Sequence, residues 1–430
     1  MNARVGQFLD TGARSIALEQ RYAAPNYAPL PVVLERGQGC WLWDAAGRRY
    51  LDFMSAYSAV SHGHAHPRLV HALVEQAQQL AVASRAYHST ALGPFMAALV
   101  EAADLPGPTR ALPASGGAES VETAIKAARR WGYRSKRIAA DRATIAVARG
   151  NFHGRSTTVV GFSTEPDYRA DFGPFAPGFR HFDFGDIDSL AAAIDETTCA
   201  VLLEPIQGEA GIVVPPDGYL AAVRRLCDER GVLLILDEIQ SGLGRTGAMF
   251  AYMHEEIRPD GVIVGKALGG GLLPVSAFVA RAAVLDHMGP GSHGSTFGGN
   301  PLAARVGLEA LRVIRDERLV ERSRTLGEHL LERLRALQFP FIRAVRGRGL
   351  WAGVELDARH VSARAVVERM AERGVLTKDT HETVIRFAPP LTIEREQLDW
   401  GIDVFADVLR EVAGAPTPAL DSAPLAAPAR

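Results

Sequence analysis

Lysine is scarce in this 430-residue chain. Of its 47 basic residues only four are lysine, at Lys126, Lys136, Lys266 and Lys378, so arginine carries nearly all of the positive charge. Arginine stays protonated in proteins, whereas a lysine with a lowered pKa can form a Schiff base with a carbonyl group. A lysine retained in so arginine-rich a chain is a candidate for amine chemistry. An ordinary lysine that reaches solvent from the edge of the core is the alternative.

Cysteine and long apolar runs are also scarce. The three cysteines, Cys40, Cys199 and Cys227, form no CxxC pair and are typical of a reducing compartment, so we expect a cytoplasmic location. No apolar run approaches the roughly 18 residues of a membrane span. The N-terminus carries no signal-peptide core. The formal net charge of -2 favours neither nucleic acid nor a membrane surface as a partner.

The pattern of apolar runs predicts an α/β fold, with a large domain built on a mostly parallel sheet flanked by helices and a smaller α+β domain. The predicted strands of the large domain are ATIAVA, TTVVGFS, CAVLLEPI, VLLILDE, GVIVG and VSAFVA. We expect a largely irregular N-terminal segment at 1–60 that holds one hairpin and contributes to the small domain and active site, a large domain at 61–310, a C-terminal small domain at 311–413 that opens with one long helix over 313–337, and a disordered Pro/Ala tail at 414–430.

Two of these runs end in groups of opposite charge. The run at 232–236 ends at Asp237, and the run at 262–264 is followed, after one glycine, by Lys266. Both runs are short, aliphatic and without alternation, which is typical of buried parallel strands. Ligands of open α/β sheets bind at the carboxyl ends of the strands. We therefore expect the carboxylate and the amine to meet in one crevice.

Three loops carry further polar groups. Residues 115–117 precede an amphipathic helix, and free N–H groups at such a helix start bind anions. An ordinary capped helix is the alternative, since Glu119 and Glu122 also suit the helix dipole. Residues 151–155 follow one predicted strand and carry an aromatic ring and a cation. Residues 204–209 follow another predicted strand and carry two carboxylates.

Two motifs resemble other kinds of site only weakly. His62, His64 and His66 alternate and are followed at once by Pro67, which favours a turn before a helix over a metal site. The glycines at 242, 244 and 247 spell GxGxxG. Other residues separate them from the preceding strand, whereas a dinucleotide-binding loop follows its strand directly.

Several longer strings together form a specific signal. They are YSAVSHGHAHP, LEPIQGEAGIVVP, DEIQSGLGRTG, GKALGGGLLPVSA, HGSTFGGNPL and THETVIRFAPPL. With them the chain resembles the class III, pyridoxal-phosphate-dependent aminotransferases of fold type I, and within that family the members that use ornithine. The likeness extends from about residue 26 to about residue 412.

The resemblance implies pyridoxal 5′-phosphate as cofactor. Lys266 would hold it covalently and move protons, and Asp237 would keep its ring nitrogen protonated, so that the ring accepts electrons. The other implied contacts are Phe152 against the ring, Gln240 at the phenolic oxygen, and Gly117, Ala118 and Thr296 at the phosphate. Thr296 would come from a second subunit, which implies a homodimer with shared active sites.

The resemblance also implies a substrate pair, L-ornithine and 2-oxoglutarate. Tyr27 would hold the α-amino group of ornithine and Arg155 its α-carboxylate, while Tyr57 shapes the pocket. Glu209 would pair with Arg386 while ornithine is bound and release it for 2-oxoglutarate; a fixed structural ion pair is the alternative. The products would be glutamate 5-semialdehyde and glutamate.

Other functions stay open from the sequence. The amino donor could be acetylornithine, lysine or 4-aminobutyrate, and the protein could be an aminomutase or a non-catalytic binding protein that kept the fold. Two departures from similar proteins are present. Gly116 stands where similar proteins usually carry serine or threonine, which removes one hydroxyl contact to the phosphate. His153 stands where the ornithine enzymes often carry tryptophan, which bears on the choice of amino donor, although histidine is usual in the wider class.

Overall fold

The computed structural model describes residues 2–414, with the side chains of residues 12–414. Its strands are β1 (Leu34–Gln38), β2 (Trp41–Asp44), β3 (Arg49–Asp52), β4 (Thr109–Ala114), β5 (Thr144–Ala148), β6 (Phe179–Phe182), β7 (Thr198–Leu203), β8 (Leu233–Asp237), β9 (Gly261–Val264), β10 (Ser276–Arg281), β11 (Ile342–Gly347), β12 (Ala352–Leu356), β13 (Val375–Leu376), β14 (Asp379–Thr380) and β15 (Val384–Phe387).

Helices cover most of the remaining chain. They are α1 (Asn2–Tyr22), α2 (Ser55–Ser58), α3 (Pro67–Gln79), α4 (Leu92–Ala103), α5 (Gly117–Arg134), α6 (Thr157–Gly161), α7 (Pro166–Arg169), α8 (Ile187–Ala193), α9 (Tyr219–Arg230), α10 (Ala282–Leu285), α11 (Pro301–Asp316), α12 (Leu319–Arg335), α13 (Ala363–Glu372) and α14 (Arg395–Val412). Two short 3-10 helices cover Ala251–Glu255 and Lys266–Gly269.

The large sheet has seven strands in the order β4-β10-β9-β8-β7-β5-β6. Strand β10 runs antiparallel to both of its neighbours, and the other pairs are parallel. The α/β class with a mostly parallel sheet is thus confirmed. Strands β4 and β6 were not predicted, because β4 carries a proline and β6, FRHF, is short and half polar.

Both faces of this sheet are covered by helices. On strand β8, Leu233 and Ile235 join the core that includes Val121 and Ile125 of α5. Leu234 and Leu236 point to the other face, into the core that includes α4 and α11. Because side chains alternate along a strand, a continuous apolar run buries itself on two sides, which explains the absence of polar alternation in this stretch.

The parallel register brings several loops to one edge. Asp237 at the end of β8 pairs with Ile263 of β9, and Lys266 follows β9 after Gly265. The loops after β5 and β7 leave the sheet at the same edge, because β5, β7, β8 and β9 are parallel. Ligands of open α/β sheets bind at this edge, outside the carboxyl ends of the strands.

Two four-stranded sheets lie outside the large one, in the orders β1-β2-β3-β13 and β11-β12-β15-β14. The hairpin predicted within the N-terminal segment is formed by β2 and β3. Strand β3 pairs in parallel with β13, so N-terminal and C-terminal parts of the chain share one sheet.

Three expectations about helices were wrong. The string TTVVGFS is not a strand, because Ser156 caps helix α6 by accepting from the Val159 N–H. The long helix expected over 313–337 is two helices that separate at Arg318, whose φ is 52°. The N-terminal segment is not largely irregular, because α1 covers Asn2–Tyr22. Apart from Gly414, the expected disordered tail lies outside the described residues.

None of the helices in the described part of the chain is long and apolar enough to cross a membrane. The three histidines between residues 62 and 66 each have a different hydrogen-bond partner. His62 bonds the Ala310 carbonyl, His64 bonds Asp52, and His66 bonds Glu317. No cluster suited to a metal ion occurs among the described residues.

Candidate active site

Two adjoining cavities, of about 520 Å³ and about 160 Å³, open at the carboxyl edge of the large sheet. Phe152 and Lys266 line both of them. The larger cavity also contains Tyr27, Tyr57, Arg155 and Glu209, and the smaller one Gly117, Ala118, Asp237 and Gln240. The strand pattern predicted a crevice shared by Asp237 and Lys266, and the smaller cavity is that crevice.

Lys266 begins a 3-10 turn directly after β9 and Gly265. Its φ is 46°, in the left-handed region that is unfavourable for a residue with a side chain. Burial lowers the pKa of its amine, although the charge of Glu209 opposes this effect. A lowered pKa increases the fraction of neutral amine, which is the form that attacks a carbonyl carbon.

Asp237 is 5% exposed, and its two oxygens have different partners. One oxygen lies 2.7 Å from His153 Nδ1, and the other accepts from the Ile239 N–H at 3.1 Å. Burial alone would lower the pKa of His153, but the hydrogen bond and charge of Asp237 outweigh it and raise the pKa.

Glu204 lies behind this pair, in the loop that follows β7. It accepts from the Phe152 N–H at 2.7 Å and the Gly208 N–H at 3.0 Å. Burial raises the pKa of Glu204 to about 7. Its hydrogen bonds join the loops after β5 and β7, and they hold the backbone of Phe152 against the two cavities.

The start of helix α5 forms an anion cradle. The carboxylate of Glu119 accepts from the N–H groups of Ser115 and Gly116, which leaves the N–H groups of the next residues available to a ligand. Gly117 and Ala118 line the smaller cavity at this point. Glycine is required nearby, because a Cβ added to Gly154 would lie 2.7 Å from the Ala118 Cβ.

Gln240 reaches the smaller cavity through space that Gly208 leaves open. A Cβ added to Gly208 would lie 2.2 Å from Gln240 Oε1 and 2.9 Å from the Trp351 ring. Gly208 therefore admits the amide of Gln240 where any larger residue would displace it.

The larger cavity has an aromatic and cationic wall. Arg155 Cζ stands 3.5 Å from the ring centre of Tyr168 and 5.5 Å from that of Phe152. Among the described residues Arg155 forms no ion pair with a carboxylate, so its charge is available to a ligand. Tyr27 is 74% exposed at the mouth of this cavity.

Glu209 and Arg386 form a two-pronged ion pair on another wall. Nη1 and Nη2 of Arg386 donate to the two Glu209 oxygens at 2.8 and 2.6 Å. Burial opposes ionisation of Glu209, but Arg386 outweighs it and lowers the pKa of this carboxyl. The guanidinium also lies 5.6 Å from the ring centre of Tyr57. Such a planar pair is stronger than a single contact.

Thr296 is placed apart from these groups within one chain. It is exposed and belongs to neither cavity wall as the described residues form them. Tyr168, Phe172 and Asn26 line the larger cavity but were not singled out from the sequence, since nothing in their spacing distinguishes them from surface or core residues.

Comparisons with known proteins agree on one family. The aminotransferase class-III family matches residues 22–409. The chain is 53% identical over 396 residues to an ornithine aminotransferase of Bordetella pertussis, covering 92% of this chain and 95% of that protein.

The chain belongs to the class III aminotransferases.

Solved structures agree with this assignment. An ornithine aminotransferase from Toxoplasma gondii superposes with a TM-score of 0.92 at 41% identity, covering 96% of this chain and 97% of that one. An acetylornithine aminotransferase from Elizabethkingia anophelis superposes with a TM-score of 0.85 at 44% identity, covering 93% and 99%. The predicted family and fold are confirmed, while class III relatives this similar differ in their amino donor.

Proposed function

We propose that this class III aminotransferase moves the terminal amine of L-ornithine to 2-oxoglutarate and gives glutamate 5-semialdehyde and glutamate. One observation carries the proposal. Arg155 and Glu209 line one cavity together with Lys266. Glu209 is paired with Arg386, whereas Arg155 has no carboxylate partner among the described residues. An incoming α-carboxylate therefore meets Arg155 first.

The smaller cavity fits pyridoxal phosphate. It combines a helix-start anion cradle, a buried carboxylate, a flat aromatic wall and an amine, as the phosphate, pyridinium nitrogen, ring and aldehyde of that cofactor require. The helix start at Gly117 and Ala118 would hold the phosphate, and Phe152 the ring face. Asp237 would hold the protonated ring nitrogen, and Gln240 the phenolic oxygen. The Toxoplasma gondii structure is described with this cofactor at its active site.

The bound cofactor supplies an aldehyde that takes up the donor amine and a ring that accepts the electron pair of the breaking C–H bond. Lys266 Nζ then takes the proton from the substrate carbon that carries the amine and later returns one. Its lowered pKa favours the neutral amine, which is the form that can accept a proton. Asp237, with His153 beside it, would hold a positively charged ring nitrogen when the cofactor is bound.

Arg155 and Tyr27 orient the donor. With the α-carboxylate on Arg155 and the α-amino group near Tyr27, the extended chain of ornithine directs its terminal amine towards Lys266. The α-amino group is thereby kept away from the reacting centre. A substrate bound in the wrong orientation would leave a buried polar group without a hydrogen-bond partner. The free energy lost in this way lets such a pocket discriminate between substrates.

The second half-reaction needs a place for another carboxylate. We propose that Glu209 swings away from Arg386 when 2-oxoglutarate enters, so that Arg386 binds one carboxylate and Arg155 the other. The exchange replaces one carboxylate by another on the same guanidinium, so its cost is small compared with leaving Arg386 unpaired. Tyr57 stays against Arg386 and shapes the space between them.

The exposed position of Thr296 supports the proposal that this residue completes the phosphate site of a second subunit in a homodimer. A cytoplasmic location and the division into segments 1–60, 61–310 and 311–413 are further parts of the proposal. Strand β3 pairing with β13 supports a small domain that the N-terminal segment completes.

The deciding experiment compares amino donors in single turnovers of the cofactor-loaded enzyme, followed by the change in cofactor absorbance. We expect ornithine to react at least about tenfold faster than N-acetylornithine at equal low concentration, since only ornithine offers Tyr27 a free α-amino group. A faster reaction with N-acetylornithine would contradict the proposal.

Acetylornithine is the second candidate donor. The open mouth of the larger cavity, where Tyr27 is 74% exposed, leaves room for an acylated amine. The likeness to the Elizabethkingia anophelis acetylornithine enzyme supports this alternative. The same comparison of donors separates the two.

A further inference from the structure

Arg245 is a buried cation whose hydrogen-bond acceptors among the described residues are all neutral. Its side chain is 0% exposed, and it forms no ion pair with a carboxylate of the described residues. Burial lowers the pKa of the guanidinium to about 9, so it stays charged at neutral pH. Burying a charge held only by neutral oxygens is costly, so a specific arrangement of those oxygens needs a reason.

The four donated hydrogen bonds of Arg245 reach two separate parts of the chain. Nη1 donates to the carbonyls of Leu350 at 2.9 Å and Pro389 at 2.6 Å. Nη2 donates to the hydroxyls of Ser61 at 2.9 Å and Ser55 at 3.3 Å. Leu350 precedes β12 and Pro389 follows β15, whereas Ser55 begins the turn α2 and Ser61 follows it.

The direction of these bonds fixes the serine protons. Arginine can only donate, so both hydroxyls must accept from it and can donate their own protons elsewhere. Ser55 donates to the Ala388 carbonyl at 2.6 Å, and Ser61 donates to the Ser58 carbonyl at 3.0 Å. Arg245 thereby orients two hydroxyls that in turn hold α2 and the segment after β15.

The turn α2 needs such support. Its residues have φ values of 43°, 48°, 59° and 70° from Ser55 to Ser58, although none is glycine. Consecutive left-handed residues with side chains are unfavourable, and they persist only where the surroundings hold them. The third residue of this turn is Tyr57, which faces the larger cavity.

We propose that Arg245 is a positioning residue for the place where Arg386 is proposed to bind a carboxylate of 2-oxoglutarate. From behind the cavity wall, Arg245 sets the distance between Tyr57 and Arg386. Tyr57 lies two residues after Ser55, and Arg386 lies three residues before Pro389. One guanidinium therefore anchors both partners of the Tyr57–Arg386 contact. The importance of this contact for substrate rests on the proposed function; the positioning itself does not.

The glycines of the GxGxxG string serve the same arrangement. A Cβ added to Gly244 would lie 3.2 Å from the Leu391 side chain, and one added to Gly247 would lie 2.9 Å from the Arg324 backbone. These glycines bring the loop that carries Arg245 close to α12 and to the segment after β15. This close approach and the positive φ values of 89° at Gly244 and 84° at Gly247 account for the two glycines.

A matched pair of serine variants separates positioning from stability. Ser61 and Ser323 are both fully buried and both bond to Arg245, but Ser323 donates to its backbone carbonyl and contacts no part of the guanidinium. Ser61→Ala and Ser323→Ala should lower the unfolding temperature comparably. Only Ser61→Ala should disturb Tyr57. Arg245→Lys, which keeps the charge and loses the fork, should disturb it more.

The position of Tyr57 is read by fluorine NMR of the full-length, cofactor-loaded enzyme labelled with fluorotyrosine, with Tyr57→Phe to assign the signal. We expect the Tyr57 signal to shift in Ser61→Ala and to stay in Ser323→Ala. The KM for 2-oxoglutarate should rise about fivefold or more in Ser61→Ala, with the maximal rate of the ornithine half-reaction changed less than about twofold.

An unmoved Tyr57 signal in both Ser61→Ala and Arg245→Lys would overturn the proposal, and so would equal shifts in Ser61→Ala and Ser323→Ala. If Arg245→Lys does not fold, the serine pair decides. A wild-type enzyme that does not transfer amine to 2-oxoglutarate would overturn the proposed function alone, because the NMR comparison needs no substrate.

Discussion

At the scale of single residues, burial of His62 links the stability of the fold to pH. The ring is 1% exposed, Nε2 bonds the Ala310 carbonyl at 3.0 Å, and Nδ1 has no hydrogen-bond partner among the residues that the structure describes. Burial lowers the pKa of His62 to about 4 from 6.5. The unfolded chain therefore binds a proton that the folded chain refuses at mildly acidic pH.

This difference predicts acid sensitivity. Stability should fall as the pH drops from about 6.5 to 4, and His62 should account for about 3 kcal/mol of the loss. His62→Gln, which keeps a donor towards Ala310 but does not titrate, should flatten this part of the curve. Urea unfolding at several pH values measures it, and His88→Gln on the surface is the control. An unchanged pH dependence in His62→Gln would contradict the assignment.

Glu209 permits a prediction that separates a switch from a fixed ion pair. Removing the carboxylate leaves Arg386 free to attract the α-carboxylate of ornithine in the wrong register. Glu209→Ala should therefore slow the ornithine half-reaction at least about tenfold and leave the 2-oxoglutarate half-reaction nearly unchanged. Rapid-mixing absorbance measures both halves.

Glu355→Ala is the matched control, because Glu355 pairs with Arg346 at 2.5 Å outside both cavities. Both half-reactions should be normal in it. Equal losses in the two half-reactions of Glu209→Ala would favour a fixed structural pair.

Residues whose chemistry is distinctive were visible in the sequence. Lysine among so many arginines, and a carboxylate at a strand end, predicted Lys266 and Asp237 in one crevice. The hydrogen bond of Asp237 to His153 could not be predicted from residues 84 apart, because only the fold brings β8 and the loop after β5 together. Tyr168 was missed for the same reason, since its contact with Arg155 depends on the path of a surface loop.

At the scale of elements, apolar periodicity predicted most buried strands and helices but not where helices stop. Helices α11 and α12 share a continuous helical pattern, and Arg318 interrupts it without glycine or proline. The β-branched residues of TTVVG favoured a strand, but the Ser156 cap and packing on α5 decided for a helix. Local capping and tertiary contact outweigh propensity in such short segments.

Close approach of α12 to the chain before β12 yields an element-scale prediction. A Cβ added to Gly327 would lie 2.1 Å from the Gly349 backbone carbon. Alanine normally stabilises a helix by up to about 1 kcal/mol relative to glycine. Gly327→Ala should instead destabilise the protein by about 2 kcal/mol or more, because backbone must move.

The control for that variant is Gly93→Ala in helix α4, where an added Cβ meets nothing within 4 Å. This variant should be neutral or slightly stabilising. Urea unfolding compares the two. If the Gly327→Ala protein were as stable as the Gly93→Ala protein, the contact between α12 and Gly349 would not be as restrictive as the structure indicates.

At the scale of the whole molecule, the proposed homodimer predicts complementation between two inactive variants. Lys266→Ala lacks the reacting amine, and Thr296→Glu should repel the cofactor phosphate in the partner's site. Dimers of either variant alone should be inactive. Mixed dimers hold one site with both changes and one site with neither, so unfolding and remixing should restore about a quarter of the sites.

Turnover after remixing, with each variant remixed alone as the control, measures this directly. No recovery in mixed dimers confirmed by mass would contradict a shared site. Recovery would show that Thr296 acts in the site of the neighbouring subunit. The position of Thr296 within a single chain does not show this by itself.

The account depends most on which amine bonds to the cofactor. Borohydride reduction of the loaded enzyme, followed by peptide mass spectrometry, identifies that lysine among the four in the chain. We expect the cofactor mass on the peptide that contains Lys266 and on no other. A modified Lys126, Lys136 or Lys378 with an unmodified Lys266 would contradict the proposed site.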